Sequence, residues 1–380
     1  MPEAVRREPP FSIPSLDGLR AFAIGVVFLA HAGLSRFIPG HFGVTVFFFL
    51  SGFLITTLLR IEFEKTGSVS LRSFYLRRVL RIFPPFYLVL VLATVLTLAG
   101  PLSGPPLSLP GLAAQAFYLT NYWVVDQGWW VGHAPGTWIF WSLAVEEHFY
   151  LFFPLLYLLL LRLLPQRRRQ AAVLLGLCAL VLAWRCVLVF GFHSIKERTY
   201  IATDARIDSI LFGCVLAVMG NPVLDRSRFS DAWWQFIALP AGLVGLLFSL
   251  AVRDPWFQQS FAYSIQGVSL VPVFVAAIRF PAWFLFAPLN WGWVRFVGVL
   301  SYSVYLMHVT VLFGVDRYLA APALVQGVIG AAVTLGLAVA IYYAVEKPAA
   351  RLRRRLSRIG ARPAPRAAVA IPIVAGASEP

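Results

Sequence analysis

Two ionisable residues, Arg20 and His31, lie inside the first long apolar run of the chain. Read as a helix, the interval between them spans roughly 16 Å and returns both side chains to nearly one face, about 20° apart. Ionisable groups at such depth are costly in hydrocarbon and mark a functional site. The structural alternative is a snorkelling arginine beside a satisfied, buried histidine. An imidazole in this setting suits general-base work, which needs a partner to orient the ring and hold its tautomer. Glu146, in the run Trp141-Ser142-Leu143-Ala144-Val145-Glu146-Glu147-His148, is the expected partner. It falls about 10 Å below the outer boundary of its own predicted span, level with His31. Glu147 points about 100° away, so at most one of the two serves His31. The alternative here is glutamates bonded to neighbouring Tyr or Trp.

A second constellation is basic. In Phe74-Tyr75-Leu76-Arg77-Arg78-Val79-Leu80-Arg81, helical spacing brings Arg81 beside Arg77 (i, i+4) and Arg78 (i, i+3). Such a fork cluster suits a phosphate-bearing ligand, whereas simple anchoring at a cytoplasmic boundary explains the same residues. Arg185, Asp204, Arg206 and Asp208 read as charge pairs that pack helices together, with direct chemistry the lesser expectation. His308, after Ser301-Tyr302-Ser303-Val304-Tyr305, reads first as a hydrogen-bonded core residue. Glu346 falls level with Arg20 and is an expected ion-pair partner for it.

These residues must be positioned by a membrane-embedded scaffold. The chain is 380 residues long, 59% hydrophobic and only 13% charged, against about 25% charged in soluble domains. The net charge of +15 is carried by arginines between apolar runs, which suits anionic headgroups better than nucleic acid. Cys178, Cys186 and Cys214 have no metal-type spacing, so neither a zinc site nor a disulfide framework is expected.

Runs long enough to span lie near 17–36, 42–60, 83–101, 139–161, 171–192, 204–220, 233–252, 259–279, 297–315 and 322–345. A weaker stretch, 107–124, is placed by charge. If it does not cross, the clusters around Arg77, Arg167, Arg226, Arg279 and Arg353 all become cytoplasmic, as the positive-inside rule asks. The expected fold is therefore all-α, a bundle of about ten transmembrane helices with both termini cytoplasmic, and 102–138 an outer-side element. Arg6, Arg7 and the Ala30-His31-Ala32 tripeptide resemble a cleavable signal. An arginine inside the apolar run argues instead for a retained helix. Residues 1–360 form the expected membrane domain and 361–380 an Ala/Pro/Arg-rich disordered tail.

Taken in order, these segments resemble the acyltransferase-3 family of integral membrane O-acyltransferases. The family's basic residue, ten intervening residues and histidine match Arg20 and His31. Its Gly-x-x-x-Phe-Phe-x-x-Ser-Gly-Phe element matches Gly43, Phe47, Phe48, Ser51, Gly52 and Phe53, and its Arg-Arg-x-x-Arg-x-x-Pro element matches Arg77, Arg78, Arg81 and Pro84. Trp-Ser-Leu-x-x-Glu-Glu-x-Phe-Tyr is matched from Trp141 to Tyr150. Later elements match at Arg206 and Asp208, at Ser301 to His308, and at Glu346-Lys347-Pro348. Two departures stand out: Thr45 where many members have an acidic residue, and His148 where Gln is common.

The resemblance implies transfer of an acyl group, usually acetyl, from cytoplasmic acyl-CoA to a hydroxyl, with no bound cofactor or metal. The acceptor would be a cell-envelope glycan or lipid-linked sugar, or alternatively a macrolide or other secondary metabolite. The expected catalytic set is His31 as general base, Glu146 and Arg20. The expected donor- and substrate-binding set is Arg77, Arg78, Arg81, Ser51, Arg206, Asp208, His308 and Glu346. Expected partners are membrane lipid and a second protein of glycan assembly, in the bacterial cytoplasmic membrane. A transporter or glycan flippase is the rival class; it predicts inverted repeats with paired broken helices, and no convincing repeat is visible. A non-enzymatic scaffold or receptor explains the arginine loops, but not Arg20, His31 and Glu146 together.

Overall fold

A computed structural model of the protein describes residues 13–102 and 104–359; the expected tail at 361–380 lies outside them. Among the described residues the fold is helical, with no strand and one isolated bridge between Leu107 and Gly132. Among the described residues nine helices are long and apolar enough to cross a membrane: α1 Pro14–Leu34, α2 Gly40–Thr66, α3 Leu71–Leu98, α6 Thr137–Leu163, α7 Arg167–Gly191, α11 Asp231–Ala251, α13 Ala262–Arg279, α14 Gly292–Tyr318 and α15 Ala323–Leu356. The chain is a multi-pass membrane protein. Shorter helices complete it: α4 Leu109–Ala116, α5 Thr120–Gln127, α8 Lys196–Ile201, α9 Thr203–Arg206, α10 Asp208–Val218 and α12 Pro255–Ser260.

The expected span at 204–220 needs correction, because the helical length there is the 11 residues of α10, about 16 Å. The backbone is extended at Ala202, ψ 137°, and a turn at Ile207 follows, so the stretch from Lys196 to Val218 is three short helices. Its ends are nevertheless well separated. Asp208 pairs with Arg185 in the last turns of α7, while Asp225, just beyond α10, pairs with Arg167 at the start of α7. Segment 208–225 thus runs beside most of a full span. In 102–138 the chain forms α4 and α5, eight residues each, too short to cross.

Glycines set the closest approaches. A Cβ on Gly52 of α2 would lie 1.9 Å from the Ile210 carbonyl oxygen, and one on Gly213 of α10 would lie 2.0 Å from that of Phe49. The two backbones interlock only because both residues lack side chains, the small-residue packing that lipid-embedded helices rely on. Gly298 of α14 meets the Asp17 carbonyl at 1.8 Å in the same sense, which locks α1 against α14. Leu16, Leu19, Ile24 and Val27 of α1 are buried. The histidines of α1 and α14 meet as a result.

Candidate active site

We call the arginine-rich end of the bundle inner and the opposite end outer. Between them lie three cavities in series. The inner one, about 390 Å³, is lined by Arg20, Arg81, Tyr302, Glu346, Lys347 and Arg354, among others. The middle one, about 100 Å³, shares Arg20, Arg81, Ser301 and Tyr302 with it and adds Ser51, Arg78, Ser142, Glu146, Glu147 and Tyr150. The outer one, about 720 Å³, holds His31, His41, Trp138 and Tyr200. Only Val44 and Tyr305 line both the middle and the outer cavity. The Tyr305 hydroxyl is fixed there by Ser142, 2.6 Å away, and by donating to the Ile139 carbonyl at 3.0 Å.

His31 sits where α1 ends. Ala32 leaves helical geometry, and Gly33 adopts φ 97°, a left-handed value that glycine accommodates without strain. The ring is therefore presented to the outer cavity rather than packed into a continuing helix. Trp138 meets it edge-on, with ring centroids 5.5 Å apart. Its Nδ1 lies 2.9 Å from Nε2 of His308, and His308 Nδ1 lies 2.8 Å from the carbonyl oxygen of Tyr305.

That geometry assigns the protons of a neutral pair. A carbonyl only accepts, so His308 Nδ1 carries hydrogen and its Nε2 is bare. His31 Nδ1 must then donate to it. The remaining nitrogen of His31, Nε2, keeps its lone pair on a ring that lines the outer cavity. This is the tautomer a general base requires.

The expected partnership of Glu146 with His31 is therefore corrected. Glu146 accepts from Ser51 at 2.8 Å and from Tyr150 at 3.2 Å, while the Tyr150 hydroxyl lies 3.1 Å from that of Ser51. This closed triangle faces the middle cavity. Depth alone aligned Glu146 with His31, but the α6 register turns the carboxylate to α2. His308, first read as a core residue, is buried and hydrogen-bonded as that reading expected; it also contacts His31.

The other candidate residues separate by partner. Arg20 pairs with Asp17 at 2.7 Å rather than with Glu346, which accepts from Ser303; Arg20 and Glu346 nonetheless line the same cavity. Arg77 is tied to Glu62 at 2.9 Å, and Arg78 lies over the Tyr150 ring, 5.0 Å from its centroid. Arg81 makes no hydrogen bond or ion pair among the described residues and lines both the inner and middle cavities. Asp208 forms the expected packing pair with Arg185, both 0% exposed, through two contacts of 2.7 Å. Arg206 stacks on Tyr263, 3.7 Å from its centroid, and donates to Thr45 at 3.2 Å. Its Nε and Nη1 are buried without partners, because a threonine offers one oxygen where a carboxylate would offer two. No group of three or more His, Cys, Asp or Glu fit to hold a metal occurs among the described residues.

Sequence reasoning assigned no role to Lys347, Arg354, Tyr302, Ser142 or Tyr305, though the resemblance had touched most of them. Tyr305 and His308 are three residues apart on α14, so one helix face carries both the dividing wall and the imidazole support.

The family model of an acyltransferase domain, Acyl_transf_3, matches residues 13–343. The chain belongs to this acyltransferase family. Among similar proteins, O-acetyltransferase OatA of Staphylococcus aureus (strain NCTC 8325 / PS 47) is 33% identical over 322 residues, covering 81% of this chain and 52% of that protein. Peptidoglycan O-acetyltransferase OatA of Listeria monocytogenes serovar 1/2a is 30% identical over 322 residues, covering 79% of this chain and 49% of that protein. The chain spans about half the length of these curated relatives. No solved structure matches it.

Proposed function

We propose that this acyltransferase moves an acetyl group from cytoplasmic acyl-CoA to a hydroxyl of a cell-envelope glycan or lipid-linked sugar, with His31 as general base. The supporting relatives are the two named OatA, one of them for peptidoglycan. The observation that carries the reading is the His31–His308 contact, which leaves the outward nitrogen of His31 free to take a proton. His31 Nε2 removes the hydroxyl proton, the hydroxyl oxygen bonds to the thioester carbonyl carbon, and the C–S bond breaks. The proton leaves with the CoA thiolate.

Cavity size supports this division of labour. The middle cavity, about 100 Å³, is about sevenfold smaller than the outer one, which suits the slender pantetheine arm of a donor better than a sugar. The outer cavity of about 720 Å³ falls within the roughly 300–1,000 Å³ of ordinary ligand sites. The donor phosphates belong at the inner cavity, where Arg81, Lys347 and Arg354 are cationic. We place the protein in the bacterial cytoplasmic membrane with both termini inside, and a partner protein completing transfer to an outer glycan.

The test is acetyl transfer in nanodiscs by His31→Ala and wild type of equal folded yield. Turnover should fall by about 10² to 10⁴, the range for a positioned acid–base group. Unchanged turnover removes His31 from the chemistry.

A further inference from the structure

The outer cavity carries charge that acetyl transfer to a neutral hydroxyl does not require. Arg36, Lys196 and Arg253 line it, on the connection after α1, at the start of α8 and just past α11. Their side chains form no hydrogen bond or ion pair among the described residues, and no aspartate or glutamate lines the cavity. Asp204 and Glu197, the nearest acids in sequence to Lys196, are engaged elsewhere: Asp204 by Arg198 and Trp184, Glu197 by Trp129. His41 adds a buried Nε2 with no partner. Behind the wall, Arg206 lies against Tyr263 and Tyr200, both of which line the cavity.

Three separate segments thus converge three unpaired cations on one space at the outer end. Membrane proteins concentrate lysine and arginine at the opposite end, so anchoring does not account for them. All three are exposed at the cavity, so water screens their mutual repulsion, and an anion entering the cavity would meet all three together.

We propose that the outer cavity binds an acceptor bearing an anionic group, a carboxylate or phosphate, on the same molecule as the hydroxyl that receives the acetyl group. Arg36, Lys196 and Arg253 hold the anion while the hydroxyl lies toward His31, which shares the cavity. The acetylation step rests on the function proposed above; the anion site does not.

The two parts are tested separately. Binding is read from tryptophan fluorescence, since Trp138 and Trp141 line the cavity, with full-length protein in neutral phosphatidylcholine nanodiscs. Glucose, glucuronate and glucose 1-phosphate are the probes. The charged sugars should bind at least about tenfold tighter than glucose, the value of one charge-assisted hydrogen bond. That preference should fall toward one in Arg36→Gln/Lys196→Gln/Arg253→Gln and weaken as salt is raised. Equal binding of all three sugars, or a preference that survives the triple substitution, overturns the proposal. Nanodiscs containing phosphatidylglycerol separate the two sources of anion: if that lipid alone blocks sugar binding at every concentration tested, the site serves headgroups and the acceptor proposal fails. Acetyl transfer to matched carboxylate and carboxamide oligosaccharides then tests the chemistry. A carboxylate preference of about tenfold in kcat/KM supports it. Charge-selective binding with no transfer to any acceptor overturns the acetyl-transfer reading while leaving the anion site standing.

Discussion

His31 and His308 meet nitrogen to nitrogen across 2.9 Å, and the carbonyl of Tyr305 decides which of them holds the shared hydrogen. His31 is oriented by a neighbour on α14 that is itself fixed by its own helix. If His31 acts as the proposed base, His308 positions it, and its loss should differ from loss of His31. His308→Ala should lower kcat by about 10- to 100-fold, as for groups that orient a functional histidine, with the KM for acetyl-CoA unchanged. His308→Gln, whose side chain can still accept from His31 Nδ1, should recover part of that loss. Steady-state kinetics in nanodiscs on both variants, with the pH–rate profile, checks this. If alanine and glutamine are equivalent, His308 acts through packing alone.

Much of this site was legible from residue type and spacing. Arg20, His31, Glu146 and Arg81 all line the cavity series. What could not be read was azimuth. Glu146 and His31 share a depth, but depth is set by counting residues, whereas facing depends on how α6 rotates against α2. The α6–α2 contact is seen in the 2.8 Å hydrogen bond from Ser51 to Glu146, and no periodicity within one helix reports it. The short α10 was misjudged for a related reason. Its apolar composition fits a span, yet the helix starts only at Asp208, where the buried pair with Arg185, a tertiary feature, holds it. The outer cations were invisible as a group because they come from three connections far apart in sequence.

The arginine cluster also divides on inspection of partners. Arg77 is held by Glu62 and is 37% exposed, outside the cavities, whereas Arg81 has no hydrogen-bond or ion-pair partner among the described residues and lines two of them. The two were equivalent as an i, i+4 pair. They should not be equivalent in function. Arg81→Gln should raise the KM for acetyl-CoA by about tenfold or more, the worth of one hydrogen bond to a charged group. Arg77→Gln should change it by less than about twofold, as for an exposed ion pair. Acetyl-CoA titrations on the two single variants decide the point, and equal effects would return the phosphate site to the whole cluster.

Glu146 closes its triangle with Ser51 and Tyr150 and makes no contact with His31. Glu146→Gln should therefore lower turnover without moving the pH–rate profile set by His31. A shift of that profile would restore the carboxylate–imidazole pairing first expected.

The inner end offers a stability prediction with a defined pH window. Asp225 accepts from Arg60 at 2.5 and 2.9 Å, from Arg167 at 3.0 Å and from the Asn221 amide at 2.9 Å. Burial alone would raise its pKa; the Arg60 hydrogen bond and charge, with the Asn221 amide and Arg167, outweigh it and hold the carboxyl below the ordinary value. Folded Asp225 thus binds its proton less readily than the unfolded chain does. Its contribution is fully present above the unfolded value of about 3.9 and is lost as pH falls through the lower folded value. Asp225→Asn should cost about 2 kcal/mol at neutral pH, because the buried Arg60 loses a charged partner while keeping Glu64 and two backbone carbonyls. The gap between variant and wild type should narrow as pH drops below about 4. Unfolding in bicelles at pH 7 and pH 3 measures both quantities, and a gap that stays constant with pH would remove Asp225 from the acid response.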